Sequence, residues 1–538
     1  MQWNDRIRVA LFLIGCAAML GPLAAFWYSL GNPVRLPDAA SPSHKLQCVS
    51  YTPFDKDQSP FDVPFQLRPH RMDADLALLA QRFRCIRTYS MTGLEQIPAL
   101  ARKHGLKVML GAWVNANPRD TQKEINALIA SANANADVVT SVIVGNEVLL
   151  RKEATGAQLA RLVRQVKAQV EQPVTYADVW EFWLKHPEMA PAVDFITIHL
   201  LPYWEDEPTG IDDAVARVAQ VHRTFMSRYA PKEIVIGETG WPSEGRQRET
   251  ALPSRANEAK FIRTFVALAE QEGWHYNLIE AFDQPWKREN EGAVGGYWGM
   301  YDADRTDKGI LEGPVSNLPR WREALAASGL AYMLALVLAG VPERRRDALT
   351  LPLMAATGAA ALGMWLVLTA VTARTLTDWL WAFALAGLDL IVLAYAVLGL
   401  GRRTAWRARL FEALRVRSGK WLMASGFVAA VLMLGMVFDP RYRSFPTAAL
   451  WVPALVFALR PAAIPANEGR LLTLIVALGI APQMVMEGPG NPQAWGWAAV
   501  SAMMAVALWR GVRAGRSAAA VNAAPPLAPP APPQTSQG

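Results

Sequence analysis

Along residues 31–325, short runs of β-branched and apolar residues alternate with stretches whose apolar positions recur at helical spacing. Beyond them, apolar residues run on for lengths that suit a bilayer. The short runs are 46–54, 84–90, 107–114, 138–147, 174–180, 195–201, 234–241 and 276–286. They are apolar almost throughout rather than alternating, as parallel strands covered on both faces are. Helical spacing marks 73–83, 93–104, 121–136, 156–170, 212–229 and 255–272, with 317–327 as a last helix. Strand and helix in alternation, with eight strands, predict an α/β fold: a (β/α)8 TIM barrel.

The long apolar segments lie at 9–30, 326–341, 349–371, 379–400, 421–438, 447–459, 471–486 and 495–509. The expected organisation is an N-terminal transmembrane anchor (1–30), the barrel (31–325) and an all-α membrane domain of about seven helices (326–512). An Ala/Pro-rich tail (513–538) with no means of burying apolar surface is expected to be disordered. Segment 447–459 is short for a span, and 9–30 reads as an uncleaved anchor in preference to a signal peptide, with Trp27 and Tyr28 near its outer end.

Charge then sets orientation. The net charge of +7 gathers in the short connections around Arg344, Arg402, Arg415 and Arg513. With Arg6 and Arg8 ahead of the first span, alternation puts all of these on one side of the membrane. Loops 372–378, 439–445 and 487–494, poorer in basic residues, fall with the barrel on the other side. The basic residues therefore read as orientation signals, and the barrel as periplasmic, on a multi-pass protein of the cell (inner) membrane. No basic patch with interleaved aromatics lies elsewhere, which excludes nucleic acid as a partner. Of three cysteines, Cys48 and Cys85 fall on neighbouring runs in the exported part, where a bridge is permitted but not specified; Cys16 lies in the first span. No Cys or His spacing suggests a metal, and no cofactor is expected.

Two carboxylates carry the candidate chemistry. Glu147 ends the fourth run and Glu238 lies near the end of the seventh, and in a barrel of this kind strand C-termini share one mouth. A pair of carboxylates across one cleft supplies the proton donor and the nucleophile of glycoside cleavage, and about 5–5.5 Å between them implies retention of configuration. The donor must hold a proton at neutral pH, so Glu147 is expected to titrate above the ordinary carboxyl range. His199 reads as a hydrogen-bonded residue of the mouth or core. Trp241 and Trp286 are the indoles expected to meet sugar faces, with Tyr51 and Tyr89 as further contacts and Arg87 either touching substrate or pairing with a buried carboxylate.

Val144-Gly145-Asn146-Glu147 and Gly237-Glu238-Thr239-Gly240-Trp241-Pro242-Ser243 resemble the acid/base and nucleophile motifs of glycoside hydrolase family 17, the β-1,3-glucanases and glucanosyltransferases. The layout is similar to its bacterial membrane-bound β-1,6-glucan synthase-like members. The resemblance implies Glu147 as acid/base, Glu238 as nucleophile, Asn146 on the sugar 2-hydroxyl and Tyr203 as the tyrosine orienting the nucleophile. After the eighth run, Lys287 and Glu291 correspond to the family's lysine and second glutamate, while Asp283 is an imperfect stand-in for the first. The implied function is cleavage of β-1,3-glucan and transfer of the glycosyl unit to a glucan acceptor, by branching or cyclisation, beside a possible glucan synthase partner. The alternatives are a simple endo-β-1,3-glucanase and a non-enzymatic glucan-binding or assembly component. Asp-x-Asp trios at 73–75 and 302–304 formally match a sugar-nucleotide transferase but fit a helix cap and a turn.

Overall fold

The computed structural model of the protein describes residues 3–39, 45–62 and 64–523. Eight parallel strands close into a ring in chain order: β1 Leu46–Ser50, β2 Phe83–Arg87, β3 Lys107–Ala112, β4 Val139–Asn146, β5 Val174–Val179, β6 Ile196–His199, β7 Ile234–Thr239 and β8 His275–Leu278. β1 pairs with β8 through Cys48 and Asn277, which completes the closure. The expected α/β barrel is present, and its strand runs are apolar because helices cover them outside while Met109, Ile143, Phe195 and Val235 plug them inside. Cys48 and Cys85 stand opposite each other in the β1–β2 register and are joined by a disulfide.

β1 stops at Ser50 rather than 54, and two larger differences lie at the end of the barrel. β8 stops at Leu278 instead of 286, because the chain beyond it finds other partners: Glu280 N donates to Trp298 O and Ala281 N to Ser50 O. The segment 317–327 is not a barrel helix. Trp321–Ala339 is one continuous helix whose buried side chains, Tyr332 and Leu336 among them, join the core of the helical half.

That half is built around a second apolar core, with Trp27, Tyr332, Phe457 and Trp497 buried in it. Among the described residues, six helices are long and apolar enough to cross a membrane: Asp5–Gly31, Trp321–Ala339, Asp347–Thr372, Leu376–Leu400, Ser418–Phe438 and Ala466–Glu487. Thr447–Leu459, at 13 residues, rises only about 20 Å and falls short of a hydrocarbon thickness of about 30 Å. The connection 402–420, expected as a loop, contains the exposed helix Ala405–Val416. The expected tail is helical at its start, since Pro492–Ala523 is one helix; 524–538 lie outside the described residues.

The connections sort by end. Arg8 donates to Glu343 O, so the N-terminal segment and the 340–346 turn share one end of the bundle. At the other end Val371, Pro440 and Gly490 accept hydrogen bonds from Tyr297, Arg246 and Gln247 of the barrel. The connections poor in basic residues are thus the ones that meet the barrel.

Candidate active site

Glu147 leaves β4 in a left-handed conformation (φ +52°), a region costly for a residue with a side chain. Gly145 makes the turn possible: its φ is +84°, and a Cβ there would sit 2.7 Å from Val148 Cγ2. The result aims Glu147 across the mouth toward Glu238, which β7 holds almost wholly buried. His199, at the end of β6, stands between them. Its Nδ1 is 2.9 Å from Glu147 Oε1 and its Nε2 3.6 Å from Glu238 Oε1. One oxygen of each carboxylate and a ring nitrogen lie within 4.8 Å of one another.

Beneath the pair lies Arg87, fully buried. Its Nη1 donates to Glu238 Oε1 (3.2 Å) and Gly237 O (2.6 Å), and its Nη2 to Asn146 Oδ1 (2.5 Å). This planar fork ties the ends of β4 and β7 to β2, and no lysine could span the same acceptors. Tyr89 donates to Glu238 Oε1 (2.9 Å) and shares a hydrogen bond with Ser50. Burial first, and the Glu238 charge second, push the Tyr89 phenol well above its ordinary range, so it stays a donor. The Glu147, His199 and Glu238 donor set could also hold a cation, but the Arg87 guanidinium already supplies positive charge at Glu238 Oε1 and opposes one.

Electrostatics at Glu147 run against expectation. Burial works to raise its carboxyl, but the His199 hydrogen bond and charge, with Arg151 and Arg87 behind them, outweigh burial and hold it below the ordinary carboxylate range. The raised carboxyls lie instead on the β8 side. Glu280 and Glu291 are each pushed up to about 7, by burial above all, on either side of Lys287, whose Nζ donates to Glu280 Oε2 (2.7 Å).

The cleft above these groups encloses about 1130 Å³ and is walled by Trp113, Trp180, Trp204, Trp286 and Trp298. Of the residues singled out from sequence, Glu147, Glu238, Asn146, Tyr51, Tyr89, Trp286, Lys287 and Glu291 line it. Four do not. Arg87 is sealed beneath the carboxylates it orders. Trp241 is fully buried against Phe261 and Tyr203, its Nε1 spent on Leu252 O. Asp283 is buried with Lys308 and the Gly299 amide. Tyr203 is buried too, and its hydroxyl donates to Arg246 O rather than to Glu238; the tyrosine that donates to Glu238 is Tyr89. Sequence reasoning missed Glu280, the glutamate that actually pairs with Lys287. Its signal was there, an acid directly after Leu278-Ile279, but it was absorbed into an overlong strand.

Residues 48–299 match the model of the BtgE/BtgC glycoside hydrolase domain. A glucan 1,3-beta-glucosidase of Arthroderma benhamiae is 28% identical over 328 residues, 57% of this chain and 96% of that protein. The "probable family 17 glucosidase SCW4" of Saccharomyces cerevisiae is 25% identical over 49% of this chain and 67% of its own length. Over residues 48–299 the chain is similar to glycoside hydrolases of family 17. A solved family 17 β-1,3-glucanosyltransferase of Rhizomucor miehei is 26% identical to it, covering 49% of this chain and 96% of that one at a TM-score of 0.44. The family-model match ends at residue 299, past β8 and before the helix Trp321–Ala339 that opens the helical half.

Proposed function

We propose that the protein is a retaining β-1,3-glucan-active enzyme that cleaves a glucan chain and passes the glycosyl unit to a glucan acceptor on the outer face of the cell membrane. The observation that carries this reading is the carboxylate pair of Glu147 and Glu238, with oxygens within 4.8 Å of each other at the floor of an indole-walled cleft. That separation favours a covalent intermediate over the wider spacing an intervening water needs.

In the first step Glu238 attacks the anomeric carbon, the glycosidic C–O bond breaks, and the leaving oxygen takes a proton from Glu147. In the second, an acceptor hydroxyl gives its proton to Glu147 and displaces Glu238 from the sugar. The depressed Glu147 titration does not remove this proton. His199 Nδ1 lies 2.9 Å from Glu147 Oε1, within reach to pass a proton to the carboxylate as a glycosidic oxygen arrives. Tyr89 and Arg87 fix the attacking oxygen of Glu238.

Transfer, rather than hydrolysis alone, is favoured by place. Outside the cytoplasm no sugar nucleotide is expected, so a new linkage must be drawn from an old one. The six apolar helices and the barrel's position against their less basic connections support the exported placement. The test is to incubate the full chain in detergent with laminari-oligosaccharides and size the products. Products longer than the donor, with linkages assigned by NMR, are expected, and they vanish in Glu238→Gln while binding persists. Only glucose and shortened oligomers would reduce the activity to hydrolysis, and unaltered behaviour of Glu238→Gln would sink the enzymatic reading.

A further inference from the structure

The cleft wall contains two residues from the other half of the chain, Arg441 and Tyr442, in the connection 439–446 between the helices Ser418–Phe438 and Thr447–Leu459. We infer that this connection builds a glucosyl-binding position at the far side of the cleft, so that the membrane bundle itself supplies part of the carbohydrate site. The inference rests on the glucan reading above and goes beyond it, because the family 17 match ends long before these residues.

The connection is held in a defined shape. Arg246, which follows β7 and Glu238, donates through Nη1 to both Pro440 O (2.5 Å) and Arg443 O (2.7 Å), so one guanidinium pins both flanks and leaves Arg441 and Tyr442 projecting between them. The same guanidinium pairs with the buried Glu487 and lies 4.6 Å over the Phe445 ring. From the barrel side, Gly292 has φ +68°, and a Cβ there would meet Tyr442 O at 2.3 Å. Only glycine lets the segment carrying Glu291 approach so closely.

What projects has the chemistry of a sugar platform. The Tyr442 ring stands 6.0 Å from the Trp204 ring at 66°, and Trp204 stacks on Trp298 at 6.3 Å and 17°. Arg441 lies over Trp204 at 5.7 Å and donates to its carbonyl at 3.3 Å. Tyr442 remains 42% exposed, so its ring is free to take the apolar face of a pyranose, while the remaining N–H groups of Arg441 can meet hydroxyl oxygens. The ligand is a neutral glucan chain long enough to reach from the carboxylates to this wall.

The full chain in detergent micelles tests it. For laminaritriose and laminarihexaose, kcat/KM is measured in the unaltered protein, Tyr442→Ala, Tyr442→Phe and Arg441→Ala. The hexaose-to-triose ratio is expected to fall about tenfold in Tyr442→Ala, less in Arg441→Ala, and to be restored in Tyr442→Phe. In a Glu238→Gln background, laminarihexaose should quench tryptophan fluorescence at higher concentrations once Tyr442 is alanine. An unchanged ratio and an unchanged titration in Tyr442→Ala overturn the inference while leaving the glucan reading intact. Absence of both turnover and binding in the unaltered protein overturns the glucan reading, and the subsite with it.

Discussion

Replacing Tyr89 and Tyr203 separately by phenylalanine distinguishes two tyrosines that the sequence does not. Tyr89 Oη lies 2.9 Å from Glu238 Oε1, whereas Tyr203 Oη lies 2.7 Å from the Arg246 carbonyl. A hydrogen bond to a charged acceptor contributes about 1.5–3 kcal/mol, and this one acts on the oxygen that attacks the sugar in the proposed mechanism. Tyr89→Phe should therefore lower kcat/KM by about 10- to 150-fold. Packing is kept, since only one oxygen is removed and Arg87 still covers the ring face at 4.7 Å. Tyr203→Phe strands a buried carbonyl instead, so about 0.5–1.5 kcal/mol should be lost from stability and much less from turnover. Initial rates on laminarihexaose and thermal melting in the same detergent read the two effects apart. If Tyr203→Phe cost as much turnover as Tyr89→Phe, or Tyr89→Phe stayed within about twofold of the unaltered protein, the assignment of the orienting hydroxyl would be wrong.

Two other perturbations follow from the same geometry. His199→Gln removes the hydrogen bond and charge that hold Glu147 low and leaves burial to act upward, so the descending limb of the pH–kcat/KM profile should move to higher pH; a limb that stays in place or moves to lower pH contradicts the assignment of His199 as the group that holds Glu147 down. Arg246→Ala leaves Glu487 buried without its cation, a loss of about 3–5 kcal/mol that should lower the melting midpoint of the whole chain. The exchange Arg246→Glu with Glu487→Arg should recover part of it, and failure of both single changes to lower the midpoint would refute the clamp.

The barrel was legible because its strands are buried on both faces, which writes them as uninterrupted apolar runs that end in recognisable polar groups such as Asn146-Glu147 and Glu238-Thr239. The carboxylate pair followed from strand position alone. The supporting cast did not. Tyr203 and Trp241 sit in motif context yet face inward, bound to Arg246 O and Leu252 O, carbonyls of the loop after β7 whose path local sequence does not specify. Trp321 reads as the start of a barrel helix because local periodicity is the same whether a helix packs on strands or on other apolar helices. The β8 error had a similar cause: residues 279–286 are apolar enough to extend a strand, and only the pairing of Glu280 with Trp298 and Met300 shows that the ladder has ended.

The Arg246 clamp also has a bearing on polymer traffic. It joins the rim beyond β7 to the same end of the bundle that receives Tyr297 and Gln247, so under the proposed membrane placement the cleft lies on the side of the barrel nearest the bilayer. On that placement a glucan filament bound across the cleft runs close to the bilayer rather than standing away from it.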